Sequence, residues 1–220
     1  MPETKTSTQS APRAAAPRWR RRAEARPGEI IEAALALFGE KGYAATSMQE
    51  IARRAGVTKG TLYLYFPSKE ELFHAVVQET LVPALVLGEQ RVAEATESTA
   101  ELFREMMWRW WARYDDPRAA CLPKLLMAEA ANFPELATFY VDTVIHRGRK
   151  IIAKVIERGI ERGEFRAVDV PTAVRLALAP LLSLGSYRRS LLPYDSEPWE
   201  AEPYIELHIE TFLRGMAKEP

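Results

Sequence analysis

Apolar residues recur at helical spacing along most of the chain, and no segment shows the alternation with a period of two that predicts a β-strand. The pattern begins after Pro27, where Ile31, Leu35 and Phe38 fall at positions i, i+4 and i+7 and would share one face of a helix. Glycine and proline residues separate the periodic segments, first at Gly42. The sequence therefore predicts an all-α protein with about nine helices.

Length and composition narrow the class of protein further. With 220 residues, the chain can form a small domain and a larger companion. Its single cysteine, Cys121, permits no internal disulfide and excludes a cysteine-based metal cluster. The longest uncharged apolar stretch of the C-terminal half, residues 176–187, is shorter than the roughly 20 residues that span a bilayer. We expect a cytoplasmic protein without a membrane span, a metal site or a cofactor.

Two short helices are predicted within residues 47–66, on either side of a tight turn at residues 55–57. Residues 47–50 and 68–71 are capping boxes, in which a serine hydroxyl accepts a hydrogen bond from the third helical amide and a glutamate accepts one from the serine amide. Gly56 ends the first short helix. Two helices joined by such a turn are the outline of a helix-turn-helix, whose second helix enters the major groove of DNA.

The second short helix carries side chains suited to DNA. Its threonines, lysine and tyrosines offer donors and a cation to base edges and phosphates, and its glycine lets the backbone approach closely. Ser47 and Lys69 stand at the starts of neighbouring helices, where unpaired amides also attract phosphates. Leu62 and Phe66 are left for the core. The candidate DNA-binding residues from this pattern are Ser47, Thr58, Lys59, Gly60, Thr61, Tyr63, Tyr65 and Lys69.

Residues 33–72, AALALFGEKGYAATSMQEIARRAGVTKGTLYLYFPSKEEL, resemble the N-terminal domain of the TetR/AcrR family of transcriptional regulators. The resemblance rests on the Phe38-x-x-x-Gly42-Tyr43 end of the first helix, the Thr46-Ser47 start of the second, and the run from Gly60 to Leu72. It implies a three-helix DNA-binding domain over residues 27–72 and a larger helical domain over residues 73–220. It further implies a homodimer that reads successive major grooves and a small-molecule effector that binds the larger domain.

The resemblance also assigns roles to single residues. Thr46 joins the DNA-binding candidates, residues 58–61 would face base edges and nearby phosphates, Tyr63 and Tyr65 would contact the DNA backbone or thymine methyls, and Lys69 would contact a phosphate.

Residues 1–26 have a composition of their own, with seven basic and two acidic groups and few large apolar side chains. Such a segment cannot offset the entropy of ordering, so we expect a flexible arm. Its arginines would either bind phosphates or the minor groove, or serve only to keep the protein soluble. In the first case, deletion of residues 1–26 weakens operator binding and reduces its dependence on salt.

The segment 103–114 has the most informative pattern of the larger domain. Phe103, Met107, Trp110 and Tyr114 form one stripe, and further tryptophans make the helix apolar around most of its circumference. These aromatic residues either fill the core or line a cavity for a flat lipophilic ligand. The candidate ligand-binding residues, taken with the family's location of its pocket, are Met107, Trp108, Trp111, Leu125, Met127, Glu129, Phe139 and Tyr140. Glu129 would either bind a polar group of the ligand or face solvent.

The last two predicted helices have apolar faces that suit dimerisation. A dimer is expected because a single helix-turn-helix reads only a few base pairs, whereas two heads read half-sites separated by one turn of DNA. In the family these two helices pair with their symmetry mates, although packing inside the protomer would use the same residue types. The candidate interface residues are Val174, Leu178, Leu181, Leu182, Gly185, Ile205, Ile209 and Phe212.

Catalysis is not expected, because the three histidines lie on separate predicted helices and no nucleophile or phosphate-binding motif is present. The sequence instead predicts a ligand-responsive repressor that leaves a palindromic operator when a small lipophilic molecule binds. The alternative is a DNA-binding regulator without a small-molecule ligand, controlled by a partner protein or by its own concentration. A cavity among Trp108, Trp111 and Tyr140 would favour the first reading, and a solid core the second.

Overall fold

A computed structural model describes residues 18–197 and 199–218 of the chain. Within these ranges the protein consists of α-helices, one π-helical turn (Val141–Ile145) and one 3-10 turn (Leu192–Tyr194), without a β-strand. The α-helices are α1 (Arg18–Lys41), α2 (Met48–Arg54), α3 (Lys59–Tyr65), α4 (Lys69–Thr80), α5 (Val82–Ala93), α6 (Thr99–Asp115), α7 (Pro117–Glu129), α8 (Pro134–Tyr140), α9 (His146–Glu161), α10 (Val170–Ser190) and α11 (Ala201–Met216).

The predicted all-α class is confirmed. Helices α4 and α5 meet at Leu81, and the π-helical turn joins α8 to α9 without a break. The described residues therefore form nine helical rods, in agreement with the count expected from periodicity.

Helix α1 begins earlier than the sequence pattern suggests. It starts at Arg18 and includes Pro27 in its interior, so the prediction of a flexible arm is wrong for residues 18–26. Arginine, alanine and glutamate, which make up most of that segment, have high helix propensities, and the loss of one amide donor at Pro27 does not end the helix. The rest of the predicted arm, residues 1–17, lies outside the described residues.

Two hydrophobic cores hold the helices together. The first joins α1, α2, α3 and α4 and continues into α7 and α8 through Leu122, Leu126 and Leu136. The second joins α6, α9, α10 and α11 around residues such as Phe103 and Ile205, both 0% exposed. The first core thus crosses the predicted domain boundary at residue 72. Helices α1 and α7 therefore share one close-packed core.

The rod 69–93 contains an 18-residue window that is apolar enough, by length and composition alone, to cross a membrane. Its first half supplies Leu72, Phe73, Val76 and Val77 to the first core, all at 0% exposure. Packing inside the protein accounts for these residues, whereas Leu87 in the second half is 58% exposed.

Candidate DNA-binding surface and effector cavity

Helix α3 turns Leu62 toward the core and most of its polar residues toward solvent. Leu62 is 0% exposed in the first core, whereas Thr58, Lys59, Gly60 and Tyr63 are exposed. The side-chain oxygen of Thr58 accepts a hydrogen bond from the amide of Thr61 at 3.1 Å and so caps the helix. Four of the sequence-predicted candidates, Thr58, Lys59, Gly60 and Tyr63, are therefore open to solvent, and Thr61 is half-buried.

The start of α2 is held by its capping box and by an ion pair to the end of α1. Ser47 and Glu50 form the predicted capping box, and Lys41 donates to the Glu50 carboxylate at 2.6 Å. These hydrogen bonds lower the pKa of Glu50 to about 2, with the one from Lys41 contributing most. The turn to α3 needs Gly56, whose φ of 65° lies in the left-handed region that favours glycine. Ser47 is exposed at the start of α2.

Thr46 does not present its side chain to DNA. It is 1% exposed, and its hydroxyl donates to the carbonyl oxygen of Gly42 at 2.7 Å. The hydroxyl satisfies the end of α1, so the expected DNA contact of this side chain is corrected to a structural role.

Lys69 is also engaged within the protein, by hydrogen bonds to its backbone. Its Nζ donates to the carbonyl oxygens of Tyr43 at 2.8 Å and Thr46 at 2.9 Å, with Ala44 at 3.4 Å, and lies 4.3 Å from the centre of the Tyr43 ring. Desolvation by burial lowers its pKa. An ammonium group has three donors, and all three are directed at these carbonyls. The predicted phosphate contact of Lys69 is therefore replaced by a role in holding the loop between α1 and α2.

Tyr65 is half-buried and packs against the first core, away from the open position of Tyr63, which is 41% exposed. Sequence reasoning passed over Leu64, which is 79% exposed on α3. Helical spacing was sufficient to identify it, since Leu62 and Phe66 face the core and residue 64 must point away from them. An exposed leucine beside Tyr63 suits contact with a thymine methyl.

The larger domain contacts the α1–α2 loop directly. The Glu129 carboxylate at the end of α7 accepts a hydrogen bond from the amide of Ala44 at 3.1 Å. The Phe133 ring packs edge-on against Tyr43, with the ring centres 4.8 Å apart. Glu129 therefore neither binds ligand nor simply faces solvent, the two roles expected from sequence. Glu129 links α7 to the α1–α2 loop, to which Lys69 is also hydrogen-bonded.

A cavity of about 360 Å³ opens between α6, α7 and α10. Its lining residues are Trp111, Tyr114, Asp115, Ala120, Cys121, Lys124, Gly185, Arg188 and Arg189. The volume lies within the range of small-molecule pockets. Helix α7 forms one wall of this cavity with Cys121, and the same residue lies against Gly39 of α1, where an added Cβ would be 3.3 Å from the Cys121 Cβ.

Of the eight predicted ligand-binding residues, only Trp111 lines this cavity. Met107 is buried in the second core, Leu125 and Tyr140 are buried in the first, and Met127 is 74% exposed. Phe139 and Trp108 are engaged elsewhere: Phe139 stacks on His74 at 3.8 Å, and the Trp108 indole donates to Glu206 at 2.7 Å. The expected cavity among Trp108, Trp111 and Tyr140 is therefore wrong as a set, because Trp108 faces α11 and Tyr140 is buried in the first core. The cavity that Trp111 lines lies toward α10 instead.

Most of the predicted dimer-interface residues are buried inside the protomer. Seven of the eight lie in or against the second core, with Ile205, Ile209 and Leu181 at 0% exposure and Phe212 stacked on Phe103 at 4.8 Å. The eighth, Gly185, is buried against Tyr114 and lines the cavity. Six of the eight are thus core residues of the protomer, whereas Leu182 and Phe212 are half-buried and stay predictions for the interface. Periodicity identifies an apolar face without showing which neighbour covers it.

The exposed apolar residues of α10 and α11 lie on the outer sides of these helices. Leu176 is 62% exposed, Leu207 is 64% exposed and Tyr204 is 41% exposed. The two helices are joined by a 2.8 Å hydrogen bond between Nε2 of His208 and the carbonyl oxygen of Ala177, so Leu176 and Leu207 flank a direct α10–α11 contact.

Within the described residues, no group of three or more histidine, cysteine, aspartate or glutamate side chains could hold a metal ion.

Comparison with known proteins agrees with this architecture. Residues 30–76 match the family described as bacterial regulatory proteins of the tetR family, and residues 90–188 match a tetracyclin repressor-like C-terminal domain. The chain is 31% identical over 198 residues to the HTH-type transcriptional repressor KstR2 of Mycobacterium tuberculosis, an alignment that covers 88% of this chain and 94% of the relative.

Two further similarities are of note. The fatty acid metabolism regulator protein of Bacillus subtilis is 32% identical over 146 residues, which covers 66% of this chain and 74% of that protein. The solved structure of the flavonoid-responsive regulator FrrA superposes with a TM-score of 0.66 at 25% identity, and the match covers 90% of this chain and all of that one. These relatives are regulators of transcription and not enzymes. With an N-terminal helix-turn-helix, a helical C-terminal domain and a full-length relative above 30% identity, the chain belongs to the TetR family of DNA-binding transcriptional regulators.

Proposed function

We propose that the protein is a homodimeric repressor that binds a palindromic operator and leaves it when a small lipophilic effector enters the cavity between α6, α7 and α10. The observation that carries the proposal is the position of α7, which forms one wall of the cavity and also packs on α1 and its following loop.

The DNA-binding part of the proposal rests on α3. Thr58, Lys59, Gly60 and Tyr63 form its open surface, and Leu64 extends that surface with an apolar side chain. Hydroxyl and ammonium donors suit base edges and phosphates, and the exposed leucine suits a thymine methyl. Ser47 at the start of α2 adds a phosphate contact next to the reading helix.

The effector response rests on the shared contacts of α7. A ligand between α7 and α10 would contact Cys121, which lines the cavity. Cys121 also packs next to Gly39 of α1, so the ligand and α1 would lie against the same residue of α7. At its far end α7 holds the α1–α2 loop through the bond from Glu129 to Ala44. Pro123 lies inside α7 and lacks an amide donor, so one helical hydrogen bond is missing at the point nearest the cavity. A shift of α7 would therefore change the orientation of the DNA-binding domain.

The relatives support a lipophilic effector. One is named for fatty acid metabolism and another for its response to flavonoids, and both kinds of molecule have large apolar surfaces. The cavity walls of Trp111 and Tyr114 suit such surfaces, because flat aromatic side chains give a large contact area. This cavity favours the ligand-responsive reading over control by concentration alone.

Selection of genomic fragments bound by the purified protein tests the DNA-binding part. Recovery of a shared palindrome is expected, and its neighbouring genes point to effectors to be tried. By linkage, an effector that releases the protein must bind the DNA-free form more tightly than the DNA-bound form. Equal effector affinities with and without operator would refute the proposed release.

Dimerisation is tested at the exposed face of α10 and α11. We expect Leu207→Glu to shift the protein toward monomer in sedimentation, because two glutamates would face one another across the two-fold interface. Met127→Glu serves as the control, because Met127 is also an exposed apolar residue but lies on α7. This change should leave the sedimenting mass of the dimer unchanged. A dimer that survives Leu207→Glu would place the interface elsewhere.

A further inference from the structure

The cavity between α6, α7 and α10 has an excess of positive charge. Lys124, Arg188 and Arg189 line it, and Asp115 is the one carboxylate in its lining. Burial raises the pKa of the Tyr114 phenol to about 12 and raises that of the Cys121 thiol, so neither group adds a negative charge at neutral pH. The lining therefore has a net charge of +2.

The three cations differ in how their donors are used. Arg189 donates to the main-chain carbonyl oxygen of Tyr114 and is thereby part of the α6–α10 contact. Arg188 lies 3.5 Å from the Asp115 carboxylate and 5.8 Å from the centre of the Trp111 ring, a loose arrangement for a group with five donors. Lys124 is exposed at the rim and has no ion pair within the described part of the chain. Lys124 and Arg188 thus have donors available to a ligand.

The apolar wall stands next to these donors. Trp111 is 4% exposed, and Tyr114 lies so close to α10 that a Cβ at position 185 would come within 2.4 Å of its ring. An uncharged ligand in this space would cover Arg188 and Lys124 without giving them a partner, at a cost in desolvation. A ligand with an acidic group would remove that cost, and a guanidinium binds the two oxygens of a carboxylate or phosphate side by side.

We propose that this cavity binds an amphipathic anion, with a carboxylate or phosphate held between Lys124 and Arg188 and an apolar body against Trp111 and Tyr114. The inference rests on the proposed function and narrows its effector from lipophilic molecules in general to those with an acidic group. A free acid and a phosphorylated compound share this chemistry, and the experiment separates them.

Isothermal titration of the full-length protein with 2-naphthoate, 2-naphthyl phosphate and the uncharged 2-naphthol tests the proposal. At least one anion should bind about tenfold or more tightly than 2-naphthol, the factor expected for one charge-assisted hydrogen bond. A preference for 2-naphthoate indicates a free acid, and a preference for the phosphate indicates a phosphorylated effector.

Lys124→Met and Arg188→Met should each weaken binding of the preferred anion about tenfold while 2-naphthol binding changes little. Lys150→Met removes an exposed lysine of α9 that lies outside the cavity. It should change neither the affinity for the preferred anion nor the affinity for 2-naphthol. Equal binding of 2-naphthol and the anions, no binding of either anion, or an equal loss in Lys150→Met would overturn the proposal. Operator binding by the wild-type protein is measured separately, so its absence would count against the proposed function and not against the anion site.

Discussion

Lys59 and Lys69 stand ten residues apart in the DNA-binding domain, and the structure gives them opposite roles. Lys69 donates two short hydrogen bonds to carbonyls of the α1–α2 loop and lies over the Tyr43 ring. Lys59 is exposed on α3, with its Nζ 5.7 Å from the centre of the Tyr63 ring. Replacement of each by methionine removes the charge and keeps a long side chain.

The expected magnitudes follow from these contacts. Each hydrogen bond from a charged donor contributes about 1.5 to 3 kcal/mol, and partial access of water to Lys69 reduces the total. We expect Lys69→Met to lower the free energy of unfolding by about 2 to 3 kcal/mol, or the midpoint temperature by about 4 to 12 °C for a domain of this size. Lys59→Met should change stability by less than about 0.5 kcal/mol, as is usual for exposed positions.

Operator affinity at several salt concentrations separates the roles further. Each phosphate contact contributes about 0.9 to the slope of log K against log salt concentration. Lys59→Met should therefore reduce the slope by about one per protomer, whereas folded Lys69→Met should keep the wild-type slope. The reasoning would be refuted by a Lys69→Met protein of unchanged stability whose salt slope falls by one.

Two further predictions concern stability. Gly159→Ala in α9 would place a Cβ 2.3 Å from the buried ring of Phe165, whereas Gly28→Ala in α1 meets nothing within 4 Å. Since both changes gain similar helix propensity, the Gly159 variant should be about 1 to 3 kcal/mol less stable than the Gly28 variant in urea titrations at equal protein concentration, and equal stability would contradict the packing. The folded-state pKa of Glu50 is about 2 against an ordinary value of 4.5, so its stabilising effect is complete above pH 4.5 and is lost as the pH falls toward 2. Glu50→Gln should therefore show a flatter stability curve than wild type over that interval, and parallel curves would contradict the ion pair with Lys41.

Much of the DNA-binding domain could be predicted from the sequence because its signals are local. A capping box spans four residues, and the Gly56 turn and the i, i+4 pair of Leu62 and Phe66 are equally short in range. Such patterns contain both partners of the interaction within one segment. The exposed face of α3 was therefore predictable, apart from Leu64, which was missed, and Tyr65, which packs against the first core.

Lys69 and Thr46 show where local reasoning fails within the same domain. Both are polar residues at helix starts, a position that favours phosphate contacts, yet both bond to backbone carbonyls of residues 37–46. For Lys69, only the packing of α4 against the α1–α2 loop brings the donor to its acceptors. The bond from Thr46 to Gly42 is formed within the turn itself, and no cap pattern in the sequence indicates it.

The sequence by itself determined that the chain is helical, that residues 47–66 form a helix-turn-helix, and that Thr58, Lys59, Gly60 and Tyr63 face outward. The tertiary structure decided what the larger helices contact. Helix α6 is apolar around most of its circumference, so periodicity could not show that Trp111 lines a cavity while Met107 fills the core and Trp108 meets α11. The same holds for α10 and α11, since six of their eight predicted interface residues are buried in the protomer. A hydrophobic pattern specifies that a face must be covered, and the covering partner depends on contacts between residues far apart in the chain.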